Sequence, residues 1–282
     1  MPPRTVTGKR TLVTGAASGI GRATAIAAAN KGADVLITDI NDEALRAVAE
    51  EIRAGGGSVA YAKALDISDY DEVRAMADEI HAEHGSLDVV MNIAGIAVWG
   101  TVETLSHEQW RRTVDVNLMG PIHVIEELVP PMIEARRGGH LVNVSSAAGL
   151  FGLPWHAPYC ASKFGLRGVS EVLRFDLRRH DIGVSLVSPG AVDTGLVDTV
   201  EIAGVSGDSA AMERFRGRFR RTAVAPEQAA ARILEGVERN RYWVYTSRDI
   251  RVAHFLQRRF ETGYALLMRL VNNRFDAIAS RL

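Results

Sequence analysis

Two rhythms of apolar residues alternate along this chain. Short strand-like runs of apolar residues fall at 10–14, 34–39, 58–64, 87–92, 139–144, 183–188 and 242–246. Between them, apolar residues recur every three or four positions, the period of a helix with one buried face. Such stretches follow the first run as far as Asn30, then cover 42–54, 69–84, 106–135, 159 to about 180, and 226–240. Three glycines, Gly55 to Gly57, stop the second helix, and Pro226 opens the last as a first-turn residue. Strands and helices of these lengths in alternation predict an α/β fold: a doubly wound parallel β-sheet of about seven strands flanked by helices. In such sheets ligands bind at the carboxyl ends of the strands. Gly15, Asp39, Asp66 and Asn92 all fall there.

The last stretch, 248–282, keeps a helical stripe through Val252, Phe255, Leu256, Phe260, Tyr264, Leu267, Val271, Phe275, Ile278 and Leu282. Arg251, Arg258, Arg259, Arg269, Arg274 and Arg281 make it basic. The expected organisation is one domain over 1–247 and a basic amphipathic helical extension over 248–282.

Composition narrows the class. With 282 residues, 47% apolar and 24% charged, the chain can bury one large α/β core. A single cysteine, Cys160, excludes an internal disulfide framework and fits a reducing compartment. The first ten residues are polar, with no apolar signal core, and no apolar run approaches the ~20 residues of a membrane span. The expected location is cytoplasmic, with peripheral membrane contact left open. The histidines, His81 and His84 included, form no metal set, so no metal is expected, and nothing points to nucleic acid. The net charge of −1 hides an asymmetry: from Arg214 onward there are 15 arginines and no lysine against six acids, while the remainder carries −10. That split points to an acidic partner surface, a subunit contact, an acidic substrate or a merely solvated basic helix.

Candidate chemistry begins at Tyr159 and Lys163, four residues apart and so on one helix face. A phenol with a pKa of ~10 is a poor base at neutral pH. An ammonium ~4 Å away contributes about 4 kcal/mol at an effective dielectric of ~20, enough to bring the phenol near neutrality. The pair can therefore give and take a proton. Cys160 points elsewhere on the helix and reads as packing.

The turn Gly15-Ala16-Ala17-Ser18-Gly19-Ile20-Gly21 joins a strand to a helix. Its glycines let a pyrophosphate approach the backbone at a helix N-terminus. Asp39 ends the second strand, where a carboxylate can hold ribose hydroxyls and repel a 2′-phosphate. That favours NAD over NADP; Arg22, which begins a helix, is expected to face outward. Asn117 lies inside a long helical region, where an amide can serve packing, bend the helix or hold water.

Taken in order, Thr14-Gly15-Ala16-Ala17-Ser18-Gly19-Ile20-Gly21, Asp66, Asn92-Ile93-Ala94-Gly95, Asn117, Ser146, Tyr159 with Lys163, and Pro189-Gly190 with Thr194 resemble the short-chain dehydrogenase/reductase family. The resemblance covers Arg10 to about Ser247; Ile93 stands where that family often has Asn or a small residue. It implies a Rossmann-type fold and a role for each position. Tyr159 is the implied general acid/base, and Lys163 lowers its pKa and holds the nicotinamide ribose. Ser146 orients the substrate oxygen, with Ser145 the alternative on the other side of the strand. Asn117 anchors a water connected to Lys163. Gly15, Ser18, Gly19, Ile20, Gly21, Asp39, Ile40, Asp66, Ile67, Asn92, Ala94, Gly95, Pro189, Gly190, Val192 and Thr194 form the implied cofactor site, together with Tyr159 and Lys163.

The family usually places a mobile lid at about 195–222. Here Leu196, Val197, Val200, Ile202 and Val205 give it an apolar side, and Gly195, Gly204 and Gly207 permit movement. Trp99, Leu150, Phe151, Leu153, Trp155 and His156 lie on nearby loops, with Trp155 and His156 the candidates for substrate contact. The expected reaction is hydride transfer between NAD(H) and a lipophilic, steroid-like secondary alcohol or ketone. An NADP-dependent carbonyl or 3-oxoacyl reductase is the alternative, and a non-catalytic dinucleotide-binding scaffold a third reading. The chain is expected to form a dimer or tetramer. The extension is expected to pack on a sister subunit or over the active site, to lie on a membrane surface, or to bind an acidic group such as a coenzyme A phosphate.

Overall fold

A computed structural model describes residues 5–195, 200–203, 213, 217, 220–221 and 223–279, with side chains as far as 273. The lid residues Leu196, Val197, Gly204, Val205 and Gly207 lie outside the described residues, as do Arg281 and Leu282 and the side chains of Arg274, Phe275 and Ile278.

The apolar alternation builds the sheet. Strands β1 (Arg10–Thr14), β2 (Asp34–Asp39), β3 (Ser58–Ala64), β4 (Val89–Asn92), β6 (Gly139–Val144), β7 (Ile182–Ser188) and β9 (Trp243–Tyr245) pair in the order β3-β2-β1-β4-β6-β7-β9. Every pairing is parallel. Successive side chains point to opposite faces, and both faces are apolar. Val13, Ile37, Met91 and Val142 face α1 (Gly19–Asn30), α2 (Asp42–Ala54) and α7 (Pro226–Glu238). Leu12, Leu36, Val90 and Leu141 face α3 (Tyr70–His84) and α5 (Gly120–Ala135). A sheet covered on both sides in this way has its only open chemistry at the strand ends. Strand order reverses between β1 and β4, and the crevice there is the natural ligand site.

Two departures from the expected elements matter for function. The region 106–135 is not one uniform helix: α4 (His107–Val114) passes through a π-helical turn, Asp115–Met119, before α5 begins. The turn contains the buried Asn117, whose side chain bonds the Ile96 backbone. π-turns of this sort recur at functional sites. The extension is also divided, into α8 (Arg248–Arg259) and α9 (Glu261–Ala279), because Phe260 takes non-helical angles of −133° and 75°. Among the described residues no helix is long and apolar enough to cross a membrane.

A small second sheet was not legible in the periodicity. Strand β5 (Val98–Trp99) pairs in parallel with β8 (Glu201–Ile202). It ties the loop after β4 to the start of the lid region.

Candidate active site

Helix α6 (Ala157–Asp176) begins just before Tyr159, so Tyr159 and Lys163 project from its first two turns. Their spacing sets them on one face. The Lys163 ammonium lies 5.7 Å from the centre of the Tyr159 ring and donates to the Val144 carbonyl at 3.1 Å. Ser146, the second residue after β6, hydrogen-bonds the Tyr159 phenol. Ser145, its neighbour, points away and donates to the Lys163 carbonyl at 2.9 Å. Asn117 lies across the crevice. Its Oδ1 accepts from the Ile96 amide at 2.8 Å and its Nδ2 donates to the Ile96 carbonyl at 2.9 Å. A Cβ added to Gly95 would stand 2.8 Å from Asn117 Oδ1 and 3.3 Å from Lys163 Nζ, so these three residues share one small space.

The electrostatics differ from the expectation for an isolated pair. Burial pushes the Tyr159 phenol above its usual value; the Ser146 hydrogen bond opposes this and the nearby Cys160 adds slightly to it. Burial also pulls Lys163 down to about 8. Instead of the ammonium dragging the phenol toward neutrality, desolvation moves both groups toward their uncharged forms. No carboxylate contributes to either shift. In this state the phenol is protonated at neutral pH and poised as an acid.

The cofactor positions converge on the β1–β4 crevice. Gly15 and Gly19 have positive φ angles of 68° and 52°. A Cβ on Gly21 would lie 1.9 Å from the Gly15 carbonyl oxygen, so the turn closes only around glycine. Ser18, the N-cap of α1, makes no side-chain capping bond. The first helical turn thus keeps donors for an anion at the positive end of its dipole. This cradle fits a dinucleotide pyrophosphate. Thr194 sits over it, 2.9 Å from the point a Cβ on Gly19 would occupy, which brings the segment after β7 onto the glycine turn. Asp39 stands at the rim, accepting from the Ala17 amide at 3.0 Å and the Asn41 amide at 3.0 Å. Ile40 beside it is exposed. Arg22 forms an ion pair with Glu51, with Nη2 2.7 Å from Oε1, and so is committed away from the crevice.

Other candidates take supporting positions. Asp66 accepts from the Ser68 amide and hydroxyl at 2.9 and 2.7 Å. Ile67 is buried against Gly120, so it can face a cofactor only through its backbone. The Asn92 amide donates to Asn143 at 2.9 Å, and Ala94 packs within van der Waals distance of Gly15. The Pro189 carbonyl accepts from Ala147, the Gly190 amide donates to Thr246, and Val192 bridges to Val224.

On the substrate side, Tyr159 packs with Ala97, Trp99, Val200 and Ile202. Residues 97–100 form the seam. Gly100 donates to the Trp155 carbonyl at 2.7 Å, and Ala203 donates to the Trp99 carbonyl at 2.7 Å. Trp155 holds a φ of 67°, costly for a bulky residue and fixed here by that bond. His156 is buried, its ring centre 4.3 Å from that of Trp99 and 6.3 Å from that of Tyr159. Its Nδ1–H donates to the Pro154 carbonyl at 2.6 Å. Burial lowers its pKa to about 4, against the opposing pull of that bond, so the imidazole is neutral at physiological pH. Leu150 and Phe151 are buried, Phe151 with its ring centre 6.4 Å from that of His254. The Tyr264 hydroxyl of α9 donates to the Gly152 carbonyl at 3.0 Å, placing the extension on the loop that carries Trp155 and His156.

Some contributors escaped the sequence reading. The Thr14 hydroxyl accepts from the Ile93 and Ala94 amides at 3.0 and 3.2 Å, clamping the loop after β4 to the glycine turn. A buried chain runs from Asn92 to Asn143 to Ser170 beneath the site. Polar residues in otherwise apolar strands were its only sequence signal. Among the described residues no cluster of His, Cys, Asp and Glu is placed to hold a metal.

Residues 9–203 match the family model described as short chain dehydrogenase. EphD of Mycobacterium tuberculosis, named as a probable oxidoreductase, is 36% identical over 233 residues. That match covers 81% of this chain but only 39% of EphD. D-threitol dehydrogenase of Mycolicibacterium smegmatis is 42% identical over 190 residues, covering 67% of this chain and 72% of that protein. Among solved structures, a short-chain dehydrogenase/reductase from Burkholderia phymatum in complex with NAD superposes with a TM-score of 0.83 at 28% identity, covering 91% of this chain and 95% of that one. A metagenomic short-chain oxidoreductase in complex with NADP gives 0.68 at 33% identity, covering 86% and 96%.

The buried ammonium makes a stability prediction. Its pKa falls from 10.5 to about 8 on folding, so the folded state binds the proton less tightly than the unfolded chain. Stability then rises with pH between those values, and the burial cost is fully present below about 8. At ~1.4 kcal/mol per pKa unit, that cost is on the order of 3 kcal/mol. Lys163→Met is expected to unfold at higher urea near pH 7 while losing turnover, and this gain should shrink toward about pH 10. A gain independent of pH would show that charge burial is not its source.

Proposed function

The chain belongs to the short-chain dehydrogenase/reductase family, oxidoreductases acting on CH–OH and C=O groups with a nicotinamide dinucleotide, and from that premise we propose that it moves a hydride between NAD(H) and a lipophilic secondary alcohol or ketone. The observation that carries this reading is the convergence of Tyr159, Ser146 and Lys163 beside a glycine cradle and beneath an apolar wall.

The bound dinucleotide supplies the two-electron hydride donor or acceptor. Gly15, Ser18, Gly19 and the first turn of α1 would hold its pyrophosphate, and Asp39 its adenosine ribose. Tyr159 handles the proton. In reduction its phenol gives the proton to the developing alkoxide; in oxidation the phenolate takes it from the alcohol. Ser146 donates a second hydrogen bond to the same oxygen. Oriented donors of this kind are worth about 3 kcal/mol at a transition state. Lys163 stabilises the phenolate when it forms, because its ammonium is then offset by a neighbouring anion rather than by a carbonyl alone. Asn117 acts at one remove, fixing the loop at Ile96 so that Gly95 leaves room for Lys163 Nζ.

Asp39 supports NAD over NADP. Its carboxylate sits at the rim of the cradle, and Arg22 is paired with Glu51 rather than turned to meet a 2′-phosphate. Trp99, Val200 and Ile202 around Tyr159 support a lipophilic substrate. We also propose self-association through α6, whose outer side exposes Phe164, Val172 and Phe175.

Titration of the protein with NADH and NADPH, followed by nicotinamide fluorescence, tests the cofactor. NADH is expected to bind at least several-fold tighter; tighter NADPH would reject the role of Asp39. Tyr159→Phe is expected to bind NADH as the parent does and to lose turnover of hydrophobic secondary alcohols by at least a hundredfold; persistent turnover would remove Tyr159 from the mechanism. Phe175→Glu is expected to elute from a sizing column as a smaller species, and an unchanged elution volume would place the subunit contact elsewhere.

A further inference from the structure

The two C-terminal helices divide their surfaces sharply. Toward the body, α8 turns His254, which hydrogen-bonds Tyr245 at 3.0 Å and packs its ring against Phe151 and Trp243. From α9, Tyr264 reaches Gly152. Away from those contacts the two helices expose large apolar side chains. Val252, Phe255 and Leu256 on α8, Phe260 at the break, and Leu267 and Leu270 on α9 are between 46% and 68% exposed. Contiguous exposure of that kind marks an interaction surface rather than chance. Arg251, Arg258, Arg259 and Arg269 are exposed on the same two helices, with Arg251 and Arg258 flanking the side nearer Tyr245.

We propose that this face docks on the surface of an anionic lipid bilayer. Its chemistry joins the two features such a surface selects: large apolar side chains to enter the acyl boundary, and long cationic side chains to reach phosphates from there. Charge decides the occupant. Residues 248–282 hold seven arginines and no lysine against Asp249, Glu261 and Asp276. A second copy meeting it through the same face would set arginines against arginines, with few acids on these helices to receive them. An anionic bilayer complements the whole face. The bend at Phe260 lets two short helices lie on one surface where a single straight rod would meet it along one line. Docking would bring the loop of Gly152, Trp155 and His156 close to the bilayer, and the value of that proximity for a lipophilic substrate rests on the reading above.

Co-sedimentation of the full chain with vesicles tests the proposal without using activity. The protein is expected to pellet several-fold more with vesicles of phosphatidylcholine and phosphatidylglycerol than with phosphatidylcholine alone, and to be released by high salt. Phe255→Ser/Leu267→Ser/Leu270→Ser and Arg258→Gln/Arg259→Gln should each reduce binding several-fold, while melting as the parent does. A parent protein that stays in the supernatant with the anionic vesicles overturns the proposal. So does a serine variant that binds undiminished. A serine variant that elutes as a smaller assembly, with no vesicle binding by the parent, makes the face a contact between copies instead. NADH binding read on the same samples reports the oxidoreductase reading separately.

Discussion

Lys163 is an ammonium held inside the protein with a backbone carbonyl as its hydrogen-bond partner. An unpaired buried charge is costly, and proteins ordinarily answer it with a carboxylate. Here that answer is withheld, and the neighbours can be understood from the omission. Val144 offers its carbonyl because β6 ends at that point, and Ser145 turns back to hold the Lys163 carbonyl. Gly95 lacks a side chain because one would collide with Asn117 Oδ1 and crowd Lys163 Nζ. A carboxylate in that space would neutralise the cation permanently. A carbonyl leaves it available to an anion that exists only while the phenolate does. The folded state therefore carries a destabilising group, and under the proposed reaction its benefit comes when the phenolate forms, a known pattern at active sites.

The same economy shapes the scaffold. The parallel sheet is covered on both faces, so its interior needs no chemistry, and the strand ends collect it. What remains is to hold flexible loops at those ends. Thr14 clamps the loop after β4 to the glycine turn, and Asn117 pairs with both backbone groups of Ile96 as a neighbouring strand would. Strand β5 then carries the loop on to β8 and to Trp155. Thr14 and Asn117 are polar residues satisfying backbone groups that a turn leaves open, and β5 does the same with its own backbone.

Local features were legible in the sequence and tertiary ones were not. The seven strands of the main sheet emerged because alternation of residues such as Leu12 and Val13 reports directly on two buried faces. The Tyr159–Lys163 pairing followed from helix geometry, and the glycine turn from the steric demands of Gly15 and Gly21. The protonation state of Tyr159 did not follow, because spacing gives proximity while burial is a property of the whole fold. The π-turn at Asn117 was hidden for a similar reason: the backbone its side chain bonds, that of Ile96, lies 21 positions earlier. The β5–β8 pair is two residues long on each strand, too short to leave a period. The division at Phe260 was masked by a stripe that continues in register on both sides.

The bond from Tyr264 to Gly152 joins residues 112 positions apart, across β7, the lid region and β9. Synthesis runs from the N-terminus, and the sheet can begin to assemble while the rest is still being made. The segment carrying Trp155 and His156 waits longer: its Gly152 carbonyl is filled by a side chain made 112 positions later. Closure of this loop against the extension is thereby a late, long-range step, and a variant lacking Tyr264 would keep its glycine cradle in full while the loop of Gly152 lost that tether.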